Sequence, residues 1–133
     1  MKASAGFSLV EVLISIVILS VGLLGMAGLT MASMNGTNES YYRSQATVLA
    51  DDILDRMRAN PLAARGEQYD IGAGPVYTAA AGSMARFDSE EWVNAITTTL
   101  PAGVGTVDVF NNVATIVITW DGGASTFTTV SQL

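Results

Sequence analysis

The sequence has no cysteine and no histidine, and its single lysine is Lys2. Without cysteine there is no disulfide framework and no thiolate metal site, although the compartment stays open. Most general-base, nucleophile and metal-ligand chemistry uses one of these three residues. Only carboxylates remain, which argues against an enzyme without excluding one; no cofactor, metal or catalytic residue is expected. Basic residues are scarce as well, 6 against 12 acids, for a formal charge of −6 with no basic cluster. Phosphate contacts need Lys and Arg, so the chain is a poor nucleic-acid binder. It also lacks a P-loop, a nucleophile elbow and zinc-ligand spacing. At 133 residues there is room for one small domain plus a tail.

What is present lies first at the N-terminus. A short polar leader, MKASAG, ends at Gly6, and a long apolar stretch begins at Phe7. Its one charge is Glu11. Val12 to Met34 is 23 residues without a charge, about 34 Å as a helix and enough to cross a bilayer. Inserting a charge costs about 2.5 to 3.5 kcal/mol at the centre of a membrane helix and less near its end. Glu11 therefore needs a partner. Three readings compete: a plain signal anchor, a secretory signal peptide cut after Ala27 or Ala32, and a signal cut before the apolar segment. The length and Glu11 both count against the second.

The string GFSLVEVLIS at Gly6–Ser15 resembles the type IV prepilin signature, a class III signal. The resemblance implies that a prepilin peptidase cuts between Gly6 and Phe7 and methylates the new amino group of Phe7. Lys2 would hold the leader on the cytoplasmic side. The resemblance also implies that Glu11 meets the N-terminal amine of a neighbouring subunit, which sets the axial register. Opposite charges in low dielectric offset part of the cost of burying each. The local alternative is a Glu11 solvated by lipid headgroups.

Gly22, Gly25 and Gly28 recur every three residues and permit close helix approach. Many major pilins carry proline where this chain has Gly28, so helix melting there is a weaker expectation. Thr30–Ser40 is small and polar and marks the exit from the membrane. Beyond it Tyr42, Ala46, Leu49, Ile53 and Met57 form a helical stripe widened by Leu54. Asp52–Arg56 and Asp55–Arg58 are favourable pairs on the other faces, and Asn60-Pro61 is a stop. One helix from Phe7 to about Asn60 would be about 80 Å long, with Gly36 a candidate bend. Asp51, Asp52 and Asp55 read as a charged helix face rather than a cation site.

The end of this helix, Asp55, Arg56, Met57, Arg58, Ala59, Asn60 and Pro61, closely resembles the DRMRANP segment of PilV-type minor pilins, the type IV pilus modification proteins. The local alternative for these side chains is a solvated, charged helix end; Arg56 and Arg58 could equally bind acids on a neighbouring subunit.

Residues 62–87 read as an irregular Ala/Gly-rich loop with one short extended piece at Val76–Thr78. A short helix is expected to follow, N-capped by Asp88 with Glu91 at its third position. Trp92, Val93 and Ile96 form its apolar face, Asp88, Glu90 and Glu91 sit at its positive end, and Leu100-Pro101 ends it. Three antiparallel strands are expected at Val104–Phe110, Val113–Trp120 and Ser125–Val130, joined at Asn111-Asn112 and Asp121-Gly122-Gly123. Ile116, Ile118 and Trp120 share one face of the second strand and Val117 and Thr119 the other, and one face of the sheet should pack on the Tyr42–Met57 stripe.

The fold expected is therefore α+β and pilin-like: a long N-terminal helix, half membrane and half amphipathic, on a small antiparallel sheet with one extra short helix. The division expected is a leader at 1–6, a span at 7–34, an amphipathic half at 35–60 and a globular part at 61–133. The family resemblance implies a non-enzymatic minor pilin that primes or supports pilus assembly, for adhesion and twitching motility. Its implied partners are other minor pilins, the major pilin, the prepilin peptidase, the inner-membrane assembly platform and a tip adhesin. The implied location is the inner membrane, with a periplasmic C-terminal domain, then the pilus and its tip. The alternatives are a minor pseudopilin of a type II secretion system and a signal-anchored periplasmic enzyme.

Overall fold

The computed structural model describes residues 8–133. Helix α1, Leu9–Ala59, is unbroken for 51 residues and runs through Gly28 and Gly36 without interruption. The chain divides into two compact units, one ending at Ser40 and the other spanning Tyr41–Leu133.

In the first unit the large apolar side chains of α1 are exposed from Leu9 to Met34. This helix is long and apolar enough to cross a membrane. Its hydroxyls turn back on the helix. Ser15 Oγ donates to the Glu11 carbonyl at 2.7 Å, Ser20 Oγ to Ile16 at 2.7 Å and Thr30 Oγ1 to Met26 at 2.9 Å. These three hydroxyls are thereby satisfied within the helix, which a lipid environment demands.

In the second unit, Ala46, Ala50, Ile53, Leu54 and Met57 of α1 are buried, with Tyr42 and Leu49 packed at the margin. The expected stripe is present, and Ala50 joins it because an alanine on that side lets the helix approach closely. Asn60 leaves the helix at φ −128°, ψ 63°, and Pro61 opens a one-turn helix α2, Pro61–Arg65. Proline suits a first helical position, where no N–H is needed. It thus starts a new helix as well as ending the old one.

The sheet is five-stranded rather than three-stranded, antiparallel throughout, in the order β2-β1-β3-β4-β5. Its strands are β1 at Ile71–Gly72, β2 at Val76–Tyr77, β3 at Val104–Phe110, β4 at Val113–Trp120 and β5 at Ser125–Gln132. The region read as an irregular loop holds α2, β1 and β2. Val76–Thr78 is the extended piece expected there, and β2 occupies its first two residues. Two-residue strands have no period to read. They are held by tertiary contacts instead: Ile71 opposes Val107, and Asp70 Oδ1 accepts the Val109 N–H at 2.9 Å.

The three long strands stand where alternation places them, β5 running two residues further than expected. Asn111 and Asn112 both take positive φ, 51° and 62°, in the two-residue turn between Phe110 and Val113. That backbone matches the twist of the flanking strands. Ala114, Ile116, Ile118 and Trp120 of β4 are buried in one core with the α1 stripe, while Val104, Asp108, Phe110 and Val113 lie on the exposed face.

Helix α3 runs Met84–Thr99, five residues longer at its start than expected. Its N-cap is Ser83, whose Oγ accepts the Arg86 N–H at 3.2 Å. Asp88 is not a cap. It lies in the second turn, where its carboxylate is drawn to other groups. Helix α3 buries Ala85, Ser89, Trp92 and Ile96 along one stripe and ends at Leu100. The Trp92 indole N–H donates to the Leu49 carbonyl at 2.7 Å, joining α3 to α1.

Candidate functional site: the apolar span and the helix-end corner

The expected functional residues fall into two places. On the apolar span, Glu11 stands in the first turn of α1, with Val12 and Glu11 both donating backbone N–H to the Ser8 carbonyl. Gly22, Gly25 and Gly28 face open space: beyond the adjacent helix backbone, a methyl group built on any of them meets no heavy atom within 4 Å. Gly6 and Phe7 lie outside the described residues.

The second place is the corner where α1 gives way to α2. Every residue of Asp55–Pro61 has a local task there. Arg58 Nη1 reaches Asp55 Oδ1 at 2.9 Å and Arg58 Nη2 donates to Ser131 Oγ at 3.2 Å. Met57 is fully buried. Ala59 is the last helical residue, Asn60 breaks the helix, and its carbonyl accepts the Ala64 N–H of α2 at 3.1 Å.

Arg56 holds three carboxylates. Its Nε contacts Asp52 Oδ2 at 3.1 Å, and its Nη1 contacts Glu91 Oε2 at 2.7 Å and Asp88 Oδ1 at 3.4 Å. The sequence pairs Asp52 with Arg56. The links to Asp88 and Glu91, 32 and 35 residues away, carry no local signal. Tyr69 completes the cluster by donating its hydroxyl to Asp88 Oδ2 at 2.6 Å. Arg56 is thus satisfied within the chain.

The electrostatics match a structural clasp. The Glu91 hydrogen bond holds the Arg56 guanidinium above its ordinary value, against the opposing effect of burial, with Asp52 adding to the rise. Burial pushes the Tyr69 phenol up to about 12, and the hydrogen bond to Asp88 adds to the effect. Burial also raises Asp70, against the Val109 N–H that it accepts. Arg56 and Tyr69 are both moved away from exchanging a proton near neutral pH. Among the described residues no three His, Cys, Asp or Glu side chains are grouped to hold a metal ion.

Comparison with known families bears on the span. The family model of the prokaryotic N-terminal methylation motif matches residues 1–27. The chain carries a prepilin-type, class III signal. The matched residues contain Gly6, Phe7 and Glu11 and include the first part of helix α1, from Leu9 to Ala27. No curated protein and no solved structure matches the chain. The signal supports a type IV pilin-like or pseudopilin-like protein, and the α+β architecture is pilin-like. Together they suggest a structural protein that works with pilus or membrane assembly machinery. The signal and the exposed apolar helix are consistent with anchorage in the inner membrane.

Proposed function

We propose that this chain is a minor type IV pilin of the PilV type. The observation that carries the reading is the methylation motif at residues 1–27, which takes in the start of an exposed apolar helix. The Asp55–Pro61 segment supports the PilV type, since it resembles the helix end of that group and here forms the corner between α1 and α2.

In this reading, residues 1–6 are removed by a prepilin peptidase between Gly6 and Phe7, and Phe7 is methylated. Residues 7–34 form the membrane and filament-core span, 35–60 the amphipathic half, and 61–133 the remaining globular part. Glu11 pairs with the amine of a neighbouring subunit and sets the register. Gly22, Gly25 and Gly28 let neighbouring helices approach. The protein joins other minor pilins and the major pilin at the inner-membrane platform, primes assembly, and passes to the pilus and its tip. Through the filament, and an adhesin at its tip, it supports adhesion and twitching motility.

The experiment is the mass of the mature N-terminus in membrane-extracted protein. Methyl-Phe7 is the expected result. An intact Met1 would make the chain a plain anchor, and a start near Gly28 or Ser33 would make it a secreted domain. Type II secretion pseudopilins share this signal, so a deletion separates the two machines. Loss of twitching with intact secretion supports the pilus, and the reverse supports the pseudopilus.

A further inference from the structure

The short hairpin of β1 and β2 is joined to the long strands through very little. The β1–β3 ladder is a single pair, Ile71 with Val107. Asp70 reinforces it twice. Its Oδ1 accepts the Val109 N–H at 2.9 Å, in the place where a longer β1 would offer a carbonyl. Its own carbonyl accepts the Thr78 N–H at 3.1 Å, just past the end of β2. One residue thus ties β1, β2 and β3 together.

The carboxyl group that makes this tie is poorly placed for a charge. One step from the Ile71–Val107 pair, Asp70 stands opposite Asp108. Tyr69 and Ile71 are buried with Asp70 half-buried between them, and Val107 and Val109 are buried with Asp108 exposed between them. The two carboxyl groups therefore share the outer face of the sheet. Directly opposed residues stand about 4.5–5.5 Å apart there, and like charges destabilise the pair. Burial raises Asp70 above its ordinary value of 3.8, the Val109 N–H works the other way, and Asp108 and then Glu67 add to the rise. No cation among the described residues contributes. The other neighbours in these ladders, Thr78 beside β1 and Thr115 opposite Asp108, are uncharged.

We propose that Asp70 is a proton-operated latch: protonated, it holds the β1–β2 hairpin on β3, and ionised, it lets the hairpin loosen about Ile71. A neutral Asp70 keeps an oxygen for the Val109 N–H and gains an O–H donor on the face it shares with Asp108. An ionised Asp70 accepts the N–H more strongly, but burial and the two facing acids outweigh that gain, since the balance of the four effects is upward. The docked hairpin therefore binds the proton more tightly than the released one. Docking is strongest below the ordinary value of Asp70 and weakens as pH rises through the raised one.

The turn of this hairpin is one wall of a cleft. Gly74 and Pro75 line it together with Val93 and Thr97 of α3 and Val104 of β3, around about 120 Å³. With the Asp70 tie gone, one residue pair is left between β1 and β3, and the wall is free to move. The hairpin is then a flap that closes over the cleft in acid and slackens toward neutral pH.

The test uses the full chain in detergent micelles, labelled for nuclear magnetic resonance. The Asp70 carboxyl carbon is titrated directly from about pH 3.5 to about pH 7.5, a range that spans ordinary and raised aspartates. Amide protection, corrected for the intrinsic effect of pH on exchange, is followed at Val109 and Thr78. Asp70 should titrate above 3.8. Protection at both amides should fall across that midpoint, by about tenfold for each pH unit between it and the ordinary value. Val117, on the central strand β4, should not follow. Asp70→Asn keeps an oxygen for the Val109 N–H and should make protection there independent of pH. Asp108→Asn should leave the hairpin docked, bring the Asp70 midpoint part of the way down, and shrink the loss of protection. A midpoint at or below 3.8, an equal loss at Val117, the parent profile retained in Asp70→Asn, or a midpoint unmoved in Asp108→Asn would overturn the latch.

Discussion

A methyl group at residue 105 has no room. Built on Gly105, it would sit 2.6 Å from Trp92 Cη2 and collide with Ile96 Cδ1, because β3 approaches α3 across that glycine. Both neighbours are fully buried and hemmed in by the core. Gly105→Ala should destabilise the domain by about 1–3 kcal/mol, the usual range for overpacking, seen as a lower denaturation midpoint. Tyr69 makes a second prediction at this scale. Its phenol is raised from 10.0 to about 12, so the folded state keeps a proton that the unfolded state gives up first. Its contribution to stability is complete below the ordinary phenol value and is lost as pH rises through the folded value. Phenolate absorbance should therefore show one tyrosine titrating near 12, and Tyr69→Phe should remove that late step. Neither residue advertises itself in the sequence. Gly105 sits in an ordinary strand pattern, and Tyr69 lies in a stretch without period.

The end of α1 is the element whose sequence and structure agree most closely in part and diverge most usefully in the rest. The stop at Asn60-Pro61 and the Asp52–Arg56 and Asp55–Arg58 pairs follow from local rules, and all are present. The tie from Arg56 to Asp88 and Glu91 crosses between helices and depends on where α3 begins. That start was legible as Ser83 only if Asp88 was committed elsewhere; an aspartate before a Glu at the third position reads equally well as a cap. Arg56→Met should show which contact matters. Asp52 and Glu91 are about half exposed, and such pairs contribute about 0–1 kcal/mol each. Asp88, at 13% exposure, loses a cationic neighbour but keeps the Tyr69 hydroxyl. We expect a total loss of about 1–2 kcal/mol. A double-mutant cycle should give coupling of Arg56 to Asp88 larger than that to Asp52; the opposite order would show the clasp to be a surface feature.

At the scale of the whole molecule, the two units meet different demands. The apolar span leaves its large side chains exposed and turns its hydroxyls inward on the helix, whereas the second unit closes its own core around Trp92 and β4. A chain built this way needs a lipid or protein environment for its apolar span, and Glu11 is the one acid between Leu9 and Met34. In Glu11→Ala the span remains long enough to insert, and the leader boundary at Gly6 is untouched. The variant should be inserted and cleaved normally yet enter assemblies poorly. Incorporation equal to the parent, measured in sheared filaments against membrane content, would end the register role.

Patterns set by neighbours along the chain were already determined before folding: the membrane-length run after Gly6, the 3.6-residue stripe on α1, the alternation of β3, β4 and β5, and the Asn111-Asn112 turn. Each depends on spacing or on the conformational preference of one or two residues, which do not change with context. The short strands β1 and β2, the early start of α3, the room kept at Gly105 and the three-carboxylate hold on Arg56 were decided only in the tertiary structure. Each joins groups tens of residues apart, and their energies exist only once the core has brought those groups within reach.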